Sequence, residues 1–158
     1  KEKTVTLRAI PATDYALFTE EAQARFWSAS WQITAQSNRL GYRLKGGALM
    51  LKHPVELRSY GVIPGLIQVP PAGEPIVQMA DANTAGGYPR IATVIEADLW
   101  RLAQARIGSF VRLQRCDHTA GLEAMEDVEK YLKSVQENSA LYRKSFIRRD
   151  AGQTGKKS

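Results

Sequence analysis

Between Thr4 and Gln114 the chain is cut into apolar runs of only a few residues, each stopped by proline, glycine or a polar turn. That rhythm excludes a bundle of long helices over this region and favours short strands in a closed or sandwiched sheet. Thr4–Ile10 alternates Val5, Leu7 and Ala9 with Thr4, Thr6 and Arg8, the period of a half-buried strand, and Pro11 ends it. Trp31–Ala35 and Arg39–Leu44 read as strands around a Gln-Ser-Asn turn. Leu66–Val69 and Ile76–Met79 are joined by PPAGEP, whose prolines exclude helix. Arg90–Ile95 and Phe110–Gln114 complete the strands. The expected fold class is mainly β with peripheral helices (α+β).

Three segments have helical spacing. Thr13–Ser28 carries Thr19 as an N-cap ahead of Glu20, Glu21 and the apolar Ala22, Phe26 and Trp27. Ala97–Gln104 is a short helix. From Asp117 a long helix lines up Leu122, Met125, Val128, Leu132, Val135 and Tyr142, with Glu126/Lys130 and Glu129/Lys133 as i,i+4 pairs. Its simplest role is a cover on the sheet; a partner-binding helix is the alternative.

The net charge of +6 raises nucleic acid as a partner, so its location matters. Arg143, Lys144, Arg148, Arg149, Lys156 and Lys157 against Asp150 carry +5 of it, which leaves +1 for the rest. Basicity thus belongs to the end of the chain, expected to be a flexible tail over 146–158 beyond a single domain over 1–145. No nucleic-acid role is expected. No apolar run approaches the roughly 20 residues that cross a bilayer, no signal peptide is expected, and Cys116 is the single cysteine. These features fit a cytoplasmic protein without disulfides or membrane contact.

Familiar catalytic signatures fail on spacing. GQTGKKS near the end resembles a phosphate-binding loop, but two residues rather than four separate Gly152 from Gly155, and no strand precedes them. His53 and His118 have no metal-ligand companions at the usual spacing, so no metal is expected. No Gly-x-Ser-x-Gly elbow is present.

Two segments are more polar than a scaffold requires. In SNRLGYRLKG, strand alternation would place Leu40, Tyr42 and Leu44 on one face and Arg39, Gly41, Arg43 and Lys45 on the other. Arginine suits bidentate binding of carboxylate or phosphate; taken alone, the row reads first as a solvated face with surface ion pairs. In DANTAGGYPR, Gly86 and Gly87 are expected at positive φ, bringing backbone N–H groups to a ligand, while Asp81, Thr84 and Tyr88 supply side chains. The plain alternative is a glycine-rich hairpin.

SNRLGYRLKG, GLIQVPPAGEPIVQMAD and TAGGYPRIATVIEADLWRLAQ, in this order and spacing, closely resemble one family. It is variously called allophanate hydrolase subunit 2, KipA-like or the C subunit of 5-oxoprolinase, and is biotin-dependent carboxyltransferase-like. The match runs from about Arg8 to Cys116. Family members are about twice as long, so the resemblance implies a counterpart of their C-terminal half. Asn83-Thr84-Ala85 stands where the family has Gln-Thr-Thr, and Ile10-Pro11-Ala12-Thr13 where it has a Leu-Pro-Gly-Pro turn.

The resemblance implies a cyclophilin-like β-barrel and a subunit of a bacterial ATP-dependent 5-oxoprolinase, which opens a lactam to glutamate. In that reading Arg39, Arg43 and Arg90 clamp anions and Asp81 accepts the lactam N–H or acts as a base, so that Asp81 and Arg43 are the catalytic candidates. Tyr42, Gln68, Thr84 and Tyr88 orient substrate, and Gly86 and Gly87 give backbone donors. The implied partners are the family's N-terminal half and the B-type subunit of 5-oxoprolinase, also known as the KipI type. Together they form a hetero-oligomer whose cofactor is ATP. A carboxyltransferase acting on urea with carboxybiotin, and a KipA-like regulator of an antikinase, are the other roles the resemblance allows. On the lactam reading, this stretch of chain by itself is expected to be inactive.

Overall fold

The computed structural model describes residues 4–82 and 84–153, the side chains of 84, 85 and 144–153 excepted. Two compact units divide the chain, residues 1–121 and 122–158. The first contains nine strands: β1 (Thr4–Pro11), β2 (Ser30–Ile33), β3 (Gly41–Lys45), β4 (Tyr60–Gly61), β5 (Leu66–Gln68), β6 (Ile76–Gln78), β7 (Thr84–Ala85), β8 (Arg90–Val94) and β9 (Phe110–Arg115). Seven of them close into a barrel in the order β1-β8-β5-β6-β3-β2-β9, and β4 pairs with β7 as a separate two-stranded ribbon. All barrel pairings are antiparallel except β1 with β9, which run parallel from Thr4↔Phe110 to Ala9↔Arg115.

Closure follows from alternation. Leu7 and Ala9 of β1, Trp31 and Ile33 of β2, Leu44, Ile67, Val77, Ala92, Val94, Val111 and Leu113 are buried in one core with Phe18 and Phe26. A ring of strands has no hydrogen-bonding edge to protect.

Helix α1 (Glu20–Ser28) begins where the sequence places its cap: Thr19 Oγ1 accepts from the Ala22 amide at 3.1 Å. The helix does not reach back to Thr13 as expected. A 3-10 turn at Tyr15–Leu17 and extended backbone at Phe18 intervene, because Thr19 N bonds Met50 O and Lys52 N bonds Leu17 O, drawing this stretch into strand-like pairing. Helix α2 (Glu96–Ala103) is fixed to the barrel by Asp98, which accepts from the Arg8 amide at 2.8 Å and from its guanidinium at 2.9 and 2.7 Å. Helix α3 runs His118–Gln153, with Asp117 Oδ1 accepting from Ala120 N at 2.9 Å. The basic tail expected over 146–158 lies outside the residues whose side chains are described. Among the described residues no helix is long and apolar enough to cross a membrane, and no group of metal-binding side chains occurs.

Candidate functional site

The barrel's outer face carries a row of three polar residues and Ile76, set by strand register. Arg43 pairs with Ile76, Ile76 with Gln68, and Gln68 with Arg90, so β3, β6, β5 and β8 present these four side chains side by side. A bulge between Ile67 and Gln68 brings Arg90 into line. Three strand spacings of about 4.8 Å put Arg43 and Arg90 roughly 14 Å apart. One step along, Gly41 faces Gln78; a Cβ on Gly41 would stand 2.9 Å from Ile76 Cγ2.

The middle of the row is a buried hydrogen-bond chain. Gln78 Nε2 donates to Gln68 Oε1 at 2.7 Å. Gln68 Nε2 donates to Tyr60 Oη at 2.7 Å and to the Gly86 carbonyl at 3.1 Å, and Tyr60 Oη donates to the Tyr88 carbonyl at 2.6 Å. With Gln68 only 1% exposed, these bonds fix the ribbon and the 86–88 loop over the sheet. Burial pushes the Tyr60 phenol above its ordinary range, against the Gln68 hydrogen bond and the Arg90 charge, so it remains a donor.

Arg90 is held in place. Its Nε and Nη2 donate to Asp14 at 2.7 and 3.1 Å, its amide donates to the same carboxylate at 3.1 Å, and its guanidinium lies 4.6 Å from the Tyr60 ring centroid. Burial raises the Asp14 carboxyl, but the Arg90 hydrogen bonds and charge outweigh it and hold the group below its ordinary value. Arg39 is likewise paired, its Nε 3.0 Å from Asp81 Oδ2. Arg43 makes no side-chain hydrogen bond or ion pair among the described residues, so it is the open cation of the row.

Other expected site residues fall differently. Tyr42 lies on the opposite face from Arg43, paired with the core residue Val77, its hydroxyl 3.5 Å from the Ala103 carbonyl. Gly86 and Gly87 do not adopt positive φ, which among the described residues is confined to Gly65, Gly73 and Gly108. Gly87 is required for another reason: a Cβ there would run into the Leu57 backbone carbonyl. Tyr88 is 38% exposed at the rim. Thr84 pairs through its backbone with Gly61, its side chain outside the described residues. Sequence reasoning missed Asp14, read as helical, and Tyr60, in a stretch with no periodicity. An isolated acid and an isolated tyrosine carry no local signal; only the tertiary fold joins them to Arg90 and Gln68.

The barrel has known counterparts. The carboxyltransferase domain family, subdomains A and B, matches residues 1–115. The C subunit of the Escherichia coli (strain K12) 5-oxoprolinase is 44% identical over 82% of this chain and 42% of its own length. That of Haemophilus influenzae is 41% identical over 82% of this chain and 42% of its own. This chain thus spans less than half the length of these relatives. The crystal structure of the K. lactis urea amidolyase superimposes with a TM-score of 0.75 at 24% identity, over 82% of this chain and 8% of that one, a likeness of fold. With the family match running from the first strand through α2 to the last strand of the barrel, the chain belongs to the carboxyltransferase domain family, subdomains A and B.

Proposed function

We propose that this chain forms part of the substrate site in a subunit of an ATP-dependent 5-oxoprolinase. The observation that carries the reading is the outer-face row in which Arg43 stands open beside the Gln68–Tyr60 hydrogen-bond chain and the rim of the 86–88 loop. A five-membered lactam with a carboxylate asks for a cation and a set of amide partners within one patch. Arg43 takes the carboxylate through two parallel N–H donors. The Gly86–Tyr88 backbone and Tyr88 border the ring, and Asp81, steadied by Arg39, accepts the lactam N–H. Gln68, Tyr60 and Arg90 act as positioning residues, since their own polar groups are engaged within the protein.

ATP, when bound, supplies the phosphoryl group that activates the lactam carbonyl. Among the described residues no glycine-rich turn opens onto a helix N-terminus, so the nucleotide is assigned to the rest of the complex. The counterpart of the relatives' N-terminal half and a B-type (KipI-type) subunit of 5-oxoprolinase complete the enzyme. The likeness to urea amidolyase supports a second reading, carboxyl transfer from carboxybiotin to urea, at the same patch.

Co-expression with those two components tests both readings. 5-Oxoproline-dependent ATP hydrolysis that falls about tenfold or more in Arg43→Ala, as expected for a lost charge-assisted contact, supports the first. Urea-dependent consumption of carboxybiotin would favour the second, and complex formation without either turnover would leave a regulatory role.

A further inference from the structure

Where the start of β1 meets α2, a groove of about 680 Å³ is lined by Thr4, Val5 and Thr6, by Trp100, Arg101 and Gln104 of α2, and by the 105–109 loop. It shares no residue with the Arg43–Arg90 row. Its size lies within the roughly 300–1,000 Å³ typical of small-molecule sites. Three features define its chemistry.

First, the charge of its described lining has one sign. Arg101 and Arg106 line the groove, and among the described residues no carboxylate does. The nearest acid known to meet Arg101 is Asp98, 3.6 Å from Arg101 Nε, but that carboxylate is only 2% exposed and already takes three hydrogen bonds from Arg8. That carboxylate is thus engaged chiefly by Arg8 and does not line the groove. Arg106 has no side-chain partner among the described residues.

Second, the groove has an apolar wall. Trp100 is 54% exposed and Ile107 53% exposed, so both offer apolar surface to the groove they line. The Arg101 guanidinium lies 5.4 Å from the Trp100 ring centroid, so cation and aromatic face adjoin.

Third, the loop is preorganised. Ser109 donates to the Arg106 carbonyl through both N and Oγ, at 3.0 and 2.6 Å. Gly108 sits at φ +85°, its amide donates to Ile33 O at 2.8 Å, and its carbonyl accepts from Gln32 Nε2 at 3.3 Å. Arg106 and Ile107 are therefore displayed from a pinned turn, which lowers the ordering entropy that binding would otherwise require.

We propose that this groove binds a planar organic anion, a ring bearing a carboxylate or phosphate, with the ring against Trp100 and Ile107 and the anion between Arg101 and Arg106. The site is independent of the lactam reading.

Titration of the full chain with benzoate, phenyl phosphate, inorganic phosphate and benzyl alcohol, read by quenching of Trp100 emission and by equilibrium dialysis, tests it. Saturable binding of benzoate or phenyl phosphate is expected, and which of the two binds tighter identifies the anion. Arg106→Gln should weaken binding about tenfold or more with an unchanged unfolding midpoint, and Trp100→Phe should remove most of the quench while dialysis still reports binding. Arg101→Gln serves as the second charge variant. No saturable binding would overturn the proposal. So would inorganic phosphate or benzyl alcohol binding as tightly as the combined probes, or an Arg106→Gln variant that folds and binds like the parent.

Discussion

Asp14 and Arg90, 76 positions apart in sequence, are joined by three hydrogen bonds from one residue to a single carboxylate. The pair locks the turn before α1 to the first residue of β8, and Tyr60 lies under the same guanidinium. Removing the acid should therefore loosen the turn, the strand end and the 86–88 loop together. Asp14→Asn should lower stability by about 1.5–3 kcal/mol, read by chemical denaturation, and increase proteolysis near residue 88. A loss confined to the turn would show that the loop is held independently.

The same pair sets an acid limit. Asp14 and Asp98 are both buried carboxylates held below the ordinary 3.8 by arginines. A depressed carboxyl contributes stability that is fully present above its unfolded value and lost as pH falls through its folded value. The unfolding free energy should thus be flat with respect to these groups at neutral pH and decline as pH drops below about 4. Asp98→Asn should flatten that decline, measured by denaturant titrations from pH 6 to pH 2.

The buried amide chain should behave non-additively. Gln68→Leu strands the Gln78 amide and the Gly86 carbonyl, at about 1–3 kcal/mol for each unsatisfied group. Adding Gln78→Leu removes one of the stranded groups, so the double variant should be less destabilised than the sum of the two single variants. A double-mutant cycle checks this, and strict additivity would mean the two amides do not depend on each other.

Gly87→Ala places a methyl group where the Leu57 carbonyl stands. Backbone must shift, so a loss of about 1–3 kcal/mol is expected, with faster amide exchange at Tyr60 and Gly61. Gly61→Ala, where a Cβ meets nothing within 4 Å, is the control.

Much of the barrel is legible in residue order. Alternation locates β1, and short apolar runs bounded by proline, glycine and polar turns locate β5, β6, β8 and β9 to within a residue or two, while Thr19 stands out by its type and the acids behind it. Local pattern fails where long-range pairing decides. Asp14 has helical neighbours, yet its carboxylate is claimed by Arg90. Alternation rightly separates Tyr42 from Arg43, but only the pairing with Val77 shows that Tyr42 faces the core. The expectation for Gly86 and Gly87 has the right residue type with the wrong cause, since packing against Leu57 rather than positive φ demands glycine at 87. The Arg43–Gln68–Arg90 row depends on register across three strand pairs, which alternation within a strand cannot encode.

The parallel pairing of β1 with β9 has a consequence for how the barrel is made. Of the barrel's strands, β9 is the last to leave the ribosome, and it slots between β1 and β2, the first two. Until Phe110–Arg115 arrives, the nascent sheet has two open edges that expose unpaired amides and carbonyls to any neighbouring chain. Pairing Thr4 with Phe110 also closes a very long loop, and such non-local closures weigh toward slow folding. A ribosome that stalls before β9 would release a sheet with two adhesive borders, so the final strand acts as the barrel's protection against self-association during synthesis.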